Sequence, residues 1–202
     1  MKPAHEVRII GGLWKRSKLP VADSPGLRPT PDRVRETVFN WLGQDLSGWR
    51  CLDAFAGSGA LGFEAASRGA AEVPLLEQDA GLVRSLQASR QRLKADPGRL
   101  RIERADAIGW MARAPAGGFD LVLLDPPFDS DLAARALPLA LRLVAVGGAV
   151  YLESRQALST PPEGWMLQRQ GRAGAVHFHL LRRNEHAAGG YTAGAVEPRR
   201  PE

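Results

Sequence analysis

The spacing of apolar and polar residues changes repeatedly along the chain, and the changes mark an alternation of strands and helices. "RCLDAFA" (50–56) is a short apolar run that ends in glycines, and "ALGFEAASRG" (60–69) reads as a helix closed by Gly69. "EVPLLEQD" (72–79) is a second strand, in which Pro74 cannot donate to a ladder and pushes the strand toward Leu75-Leu76. A helix over "LVRSLQASRQRLKA" (82–95), a strand over "RIERAD" (101–106) and a short helix over "AIGWMARA" (107–114) follow. "FDLVLLDPPF" (119–128) is the most apolar run and is expected at the centre of a sheet, buried on both faces. After it come a helix over "LAARALPLALRLVA" (132–145), a strand over "GAVYLES" (148–154) behind Gly147-Gly148, and two strands in 165–183 that form a hairpin around Arg172 to Gly174.

The segments before this alternation behave differently. "VRIIGG" (7–12) and "RSKLPV" (16–21) are two short strands joined through Gly11-Gly12. In "GLRPTPDRVRETVFNWL" (26–42) a helix opens with Thr30 as N-cap and Pro31 at its first position, and Val34, Val38, Trp41 and Leu42 share one face. The fold class is therefore α/β: a mainly parallel seven-stranded sheet, helices on both faces, a C-terminal antiparallel hairpin and a short N-terminal β-hairpin extension. The domain reading is an extension over 1–27, a body over 28–183 and a disordered tail over 184–202, which is rich in Gly, Ala and Pro.

Composition narrows the class. A chain of 202 residues, 44% hydrophobic, holds one main domain, with no run long enough for a membrane span and no signal-peptide core, so the cytoplasm is the expected compartment. The single cysteine, Cys51, reads as a buried structural thiol. His5 and His186 lie in terminal segments and His177 and His179 alternate along a strand without cysteine partners, so no metal is expected. Residues 1 to 35 hold eight lysines or arginines against three acids, and the remainder is balanced. Such a leader suits a polyanion. Arg8, Lys15, Arg16, Lys18, Arg28, Arg33 and Arg35 are its candidate polyanion contacts, although Arg28, Thr30, Arg33 and Arg35 could face either the polyanion or a bound cofactor.

Gly57-Ser58-Gly59-Ala60-Leu61-Gly62 fits G-x-G-x-x-G on a strand-to-helix turn, which serves a dinucleotide or another nucleoside ligand equally. Glu77, twenty residues after Gly57, can take both hydroxyls of a ribose. Asp53 lies where a cationic amino group could be held, which favours S-adenosylmethionine over NAD. Ligands on such sheets sit at the carboxyl ends of the strands, where Asp53, Glu77, Asp106 and Asp125 converge. Asp125 closes the most buried strand, and the rigid Pro126-Pro127 turn aims its carboxylate and the Pro126 carbonyl outward. Two acceptors side by side suit the two hydrogens of a planar amine, with Phe128 offering a stacking face for its base.

The (D/N)PP(F/Y/W) pattern of Asp125, Pro126, Pro127 and Phe128 resembles that of the amino-directed Rossmann-type methyltransferases. "RIIGGLWKRSKLPV", "GLRPTPDRVRETVFNWL", "CLDAFAGSGALGFEAASRGA" and "FDLVLLDPPF", in that order, are similar to the RsmD family of bacterial 16S rRNA guanine-N2 methyltransferases, over roughly residues 6 to 183. The resemblance implies S-adenosylmethionine as cofactor. Asp53 and Gly57 to Gly59 would hold its methionine end, Glu77 its ribose, and Asp106 with Ala107 the adenine edge, with Phe55 and Gln78 also among the cofactor contacts. It implies Asp125 to Phe128 as the catalytic segment, and as substrate the exocyclic amine of one guanine in small-subunit ribosomal RNA or the 30S particle, worked on by a monomer. Pro74 and the terminal twenty or so residues depart from the family pattern. A DNA adenine-N6 methyltransferase is the nearest rival, since the same motif serves any planar amine; a noncatalytic RNA-binding assembly factor is a rival of another class. An NAD dehydrogenase is the weakest reading, because no Tyr-Lys or His-Asp pair is suitably placed.

Overall fold

The computed structural model describes residues 6–21, 32–128 and 130–184. Among them the elements run β1 (Glu6–Arg8), β2 (Lys18–Pro20), α1 (Asp32–Leu42), β3 (Cys51–Asp53), α2 (Ala60–Ser67), β4 (Val73–Glu77), α3 (Ala80–Arg92), β5 (Leu100–Arg104), α4 (Ala107–Arg113), β6 (Phe119–Leu124), α5 (Leu132–Leu143), β7 (Val144–Ser154), β8 (Trp165–Ala173) and β9 (Val176–Arg183). Seven strands make one sheet in the order β5-β4-β3-β6-β7-β9-β8, and β1 and β2 pair separately. The pairs from β5 to β7 are parallel, while β9 is antiparallel to both β7 and β8. The strand expected at the centre, β6, is the fourth of seven.

Strand periodicity explains why both faces are covered. Leu121 and Leu123 of β6 join Cys51, Leu75, Tyr151 and Phe178 in one core, which packs under α1, α2 and α3 through Val38, Phe39, Phe63 and Leu86. Val122 and Leu124 turn the other way and join Leu52, Leu76, Val150 and Leu152 in a second core with Met111 of α4 and Ala136 and Ala140 of α5. Successive residues point to opposite faces, so a run that is apolar throughout needs helices on both sides. Each large aliphatic side chain so buried contributes about 1.5–3 kcal/mol.

Three local expectations are corrected and one is extended. Pro74 does not displace its strand: β4 starts at Val73, and Pro74 is buried opposite Arg101 of β5. Its missing N–H falls on the β3 side, where the ladder lapses between the Arg50–Glu72 bridge and the Asp53–Leu75 pair, so the proline removes one rung only. The strand placed behind Gly147-Gly148 begins at Val144, and the glycines sit in its irregular stretch opposite β6, with Gly147 at φ 75°. On α1 the expected face of Val34, Val38, Trp41 and Leu42 packs on one core, with Trp41 half-buried and stacked on Phe178 at 5.3 Å, and Phe39 and Arg35 are buried beside it. The final turn sits between Ala173 and Val176, at the C-terminal edge of the expected Arg172 to Gly174. Thr30, Pro31 and the tail from residue 185 lie outside the described residues.

Candidate active site

The carboxyl ends of β3, β4, β5 and β6 bring Asp53, Glu77, Asp106 and Asp125 to one rim, since these four strands are adjacent and parallel. Asp53 ends β3 and is 1% exposed. Its Oδ2 accepts a hydrogen bond from the Gly62 amide at 2.8 Å, whereas its Oδ1 is buried with no partner among the described residues. Burial pushes this carboxyl up to about 7, and the Gly62 and Phe55 amides oppose the shift only in part. A buried carboxylate oxygen without a partner among the described residues suits a cationic donor.

The turn that follows is shaped by its own packing as much as by any ligand. Gly59 caps α2 with φ 80°, and a Cβ there would lie 2.6 Å from Leu86 and Phe63 side chains. Gly62 has no side chain to keep its amide from Asp53: a Cβ would stand 2.9 Å from Oδ2. The Gly57 amide donates to Glu77 at 3.0 Å, and the Asp79 amide donates to the other Glu77 oxygen at 2.9 Å, so one carboxylate joins the glycine turn to the end of β4. Gln78 beside it is exposed, while Phe55 and Ser58 are half-buried. Asp106 is exposed and caps α4 by accepting the Gly109 amide at 2.7 Å, with Ala107 buried next to it. These residues fit S-adenosylmethionine: Asp53 Oδ1 suits an ammonium group, and Glu77 and Asp106 retain lone pairs for hydroxyl and amine donors.

Asp125 follows directly on the central strand. It is half-buried, as is Phe128, with a buried Pro126 and an exposed Pro127 between the two, and the Ser130 hydroxyl closes the turn by donating to the Pro127 carbonyl at 2.6 Å. Neither proline carries an N–H, so the turn offers no backbone donor at these two positions and their carbonyls serve as acceptors. Beside it in the sheet, the Tyr151 hydroxyl donates to Glu153 at 2.7 Å, with both residues buried. Nothing in the alternation of "GAVYLES" announced that pair.

The basic leader divides into surface and core. Arg8, Lys15, Arg16, Lys18 and Arg33 are exposed, with Lys18 paired to Glu6 at 2.7 Å and Arg8 3.7 Å from Asp32. Arg28 lies outside the described residues. Arg35, expected on RNA, is instead 0% exposed: it meets Asp32 at 2.6 Å and Glu64 at 3.8 Å and donates to the Arg8 carbonyl. It points inward because Glu64, buried in α2, requires positive partners. Glu64 also accepts the amides of Ile10 and Gly11 at 2.7 and 2.8 Å and pairs with Arg68 at 2.8 Å. Ser67 continues the contact, accepting the Trp14 amide and donating to the Gly11 carbonyl. The hairpin is thus latched to the helix that begins at the glycine turn. A single glutamate inside the otherwise apolar "ALGFEAAS" was the available signal.

Cys51 is fully buried and its thiol is pushed up by burial, which makes it an inert core group as expected. Among the described residues no group of three or more His, Cys, Asp or Glu could hold a metal ion, and no helix is long and apolar enough to cross a membrane.

The conserved hypothetical protein 95 family matches residues 7–182. The ribosomal RNA small subunit methyltransferase D of Escherichia coli strain K12 is 43% identical over 190 residues, covering 90% of this chain and 94% of that protein. The Haemophilus influenzae protein of the same name is 41% identical over 180 residues, covering 87% and 93%. Among solved structures, Escherichia coli yhhF superposes with a TM-score of 0.79 at 39% identity, covering 90% of this chain and 100% of that one. Fold and rim together define a Rossmann-type class I methyltransferase. Within that class, the chain belongs to the ribosomal RNA small subunit methyltransferase D family.

Proposed function

We propose that the protein transfers a methyl group from S-adenosylmethionine to the exocyclic N2 amine of a guanine in small-subunit ribosomal RNA, on an assembled or partly assembled 30S particle. The observation that carries this reading is Asp125-Pro126-Pro127-Phe128 at the end of the central strand, directly beside β3, whose end carries Asp53. S-adenosylmethionine, when bound, supplies an electrophilic methyl group on a sulfonium sulfur. Asp53, Phe55 and Gly57 to Gly59 hold its methionine end, Glu77 and Gln78 its ribose, and Asp106 and Ala107 its adenine edge. Asp125 and the Pro126 carbonyl accept the two amine hydrogens and leave the nitrogen lone pair aimed at the methyl carbon, while Phe128 stacks on the base. Rate enhancement then comes mainly from alignment, with the proton leaving the nitrogen after the methyl arrives. A paired guanine has to be extruded first, so an unpaired one costs less.

The exposed cations Arg8, Lys15, Arg16, Lys18 and Arg33 engage phosphates around the target. Asp125→Ala is expected to reduce methyl transfer to 30S particles by at least about a hundredfold while S-adenosylmethionine binding, followed by calorimetry, stays within about twofold. Near-normal turnover in this variant overturns the assignment. Labelled S-adenosylmethionine offered with RNA, 30S particles and DNA separates this reading from a DNA adenine-N6 methyltransferase, and failure to bind the cofactor would favour a noncatalytic assembly factor.

A further inference from the structure

The strongest chemical feature left unused by the reading above is the buried pair behind Asp125. Strands β6 and β7 run in parallel register with Leu123 opposite Tyr151 and Leu124 opposite Leu152. Continued by one residue beyond the end of β6, the same register sets Asp125 beside Glu153 on strands about 4.8 Å apart, and the two-residue period puts both on the Tyr151 face. Glu153 is 3% exposed and Tyr151 is 0% exposed, with the phenol donating to Glu153 Oε1 at 2.7 Å. Burial, Glu153 and, more weakly, Asp125 all raise the Tyr151 phenol well above its ordinary value, so it stays protonated as a donor and stands within the field of both carboxylates. A carboxylate withdrawn from water is costly to keep charged, and the Tyr151 hydroxyl offsets part of that cost.

In the proposed reaction, the amine lone pair forms the new N–C bond as the C–S bond breaks and its electron pair stays on sulfur. Positive charge therefore moves from sulfur to nitrogen, until the nitrogen releases a proton past Asp125 to water. Fixed negative charge on the nitrogen side favours that movement, and it is worth most in a site closed to water. We propose that Glu153, held by Tyr151, supplies this charge: it acts on the reacting centre through its field, without touching the base, and Tyr151 is its positioning residue. The proposal rests on the function proposed above and adds a second carboxylate to it.

Sinefungin, in which a carbon bearing an amine replaces the methylated sulfonium, places a cation where the charge develops; S-adenosylhomocysteine leaves that place neutral. Calorimetric dissociation constants of the two are measured for the full chain and for Glu153→Gln and Tyr151→Phe. Glu153→Gln should weaken sinefungin about tenfold and S-adenosylhomocysteine less than about twofold, with Tyr151→Phe showing the same selective loss at about threefold. A merely structural role would move both ligands together, and that result, or no change in either, overturns the proposal. If Glu153→Gln does not fold, the ratio in Tyr151→Phe decides by the same criterion. An unchanged ratio alongside an inactive Asp125→Ala removes only the role of Glu153; an active Asp125→Ala removes the reading beneath it.

Discussion

Asp53 carries a carboxyl group whose burial moves it from 3.8 to about 7, and the direction of that shift has two consequences. Its folded value is the higher one, so the stability it contributes is fully present below pH 4 and is lost as pH rises through 7. Asp53→Asn should therefore raise the urea midpoint of the ligand-free protein at pH 8 and have little effect at pH 4, where both side chains are neutral. The second consequence concerns the cofactor. A bound ammonium favours the ionised carboxylate, so binding expels a proton below pH 7. Affinity for S-adenosylmethionine should tighten by up to about tenfold per unit between pH 5.5 and 7 and then level off, as the α-amino group begins to titrate near 8. A flat profile in Asp53→Asn, measured by calorimetry, assigns the slope to this residue.

At this scale the sequence told a partial story. Asp53, Glu77, Asp106 and Asp125 could be read because each closes a strand of an alternating pattern, and strand ends on a parallel sheet share a rim. Arg35 could not: it lies beside Val34 and Val38 on the apolar face of α1, and the glutamate that draws it inward is 29 positions away on another helix.

Among the elements, the N-terminal hairpin departs most from a detachable basic leader. Gly12 has φ 73°, and a Cβ there would stand 1.9 Å from the Ser67 carbonyl oxygen, so the loop lies backbone against backbone on the end of α2. Gly12→Ala should cost about 3 kcal/mol or more, seen as a fall in denaturation midpoint with an unchanged slope. Removing residues 1 to 18 takes two amide partners from the buried Glu64 and should destabilise the body by more than about 3 kcal/mol, which makes truncation a poor probe of RNA binding. Point substitutions avoid this. Leu13, 76% exposed, and the flanking Lys15 and Arg16 form an outward tip. Lys15→Ala with Arg16→Ala should keep the melting temperature within a degree or two while lowering the salt slope of RNA binding by about 2. An unchanged slope removes the tip from the interface. The hairpin was legible as two short strands; its docking was not, because backbone amides leave no mark in the sequence and their acceptor is 53 to 54 residues away.

Across the whole molecule, the alternation of strands and helices carried the fold. Seven strands, the central place of β6 and the antiparallel end all follow from runs whose length and flanking glycines could be read directly. Polar groups folded into the core were hidden, and they shape the response to pH. His179 is fully buried, accepts the Leu158 amide at Nε2 at 3.0 Å and has Nδ1 3.3 Å from the Leu152 carbonyl, which together call for the neutral ring. Burial lowers it below 6.5, so its contribution is present above that pH and is lost as pH falls through the folded value. Asp53 works in the opposite sense. Urea midpoints from pH 7.5 to 5 in an Asp53→Asn background should therefore fall, and the fall should shrink in Asp53→Asn with His179→Gln.

The measurement that bears most directly on the central claim is nucleoside analysis of 30S particles, free RNA and DNA after incubation with the protein and methyl-labelled S-adenosylmethionine. The account predicts label in N2-methylguanosine from small-subunit RNA, absent when Asp125 is replaced by alanine. Label in N6-methyladenosine from DNA, or no transfer to any of the three, would contradict it.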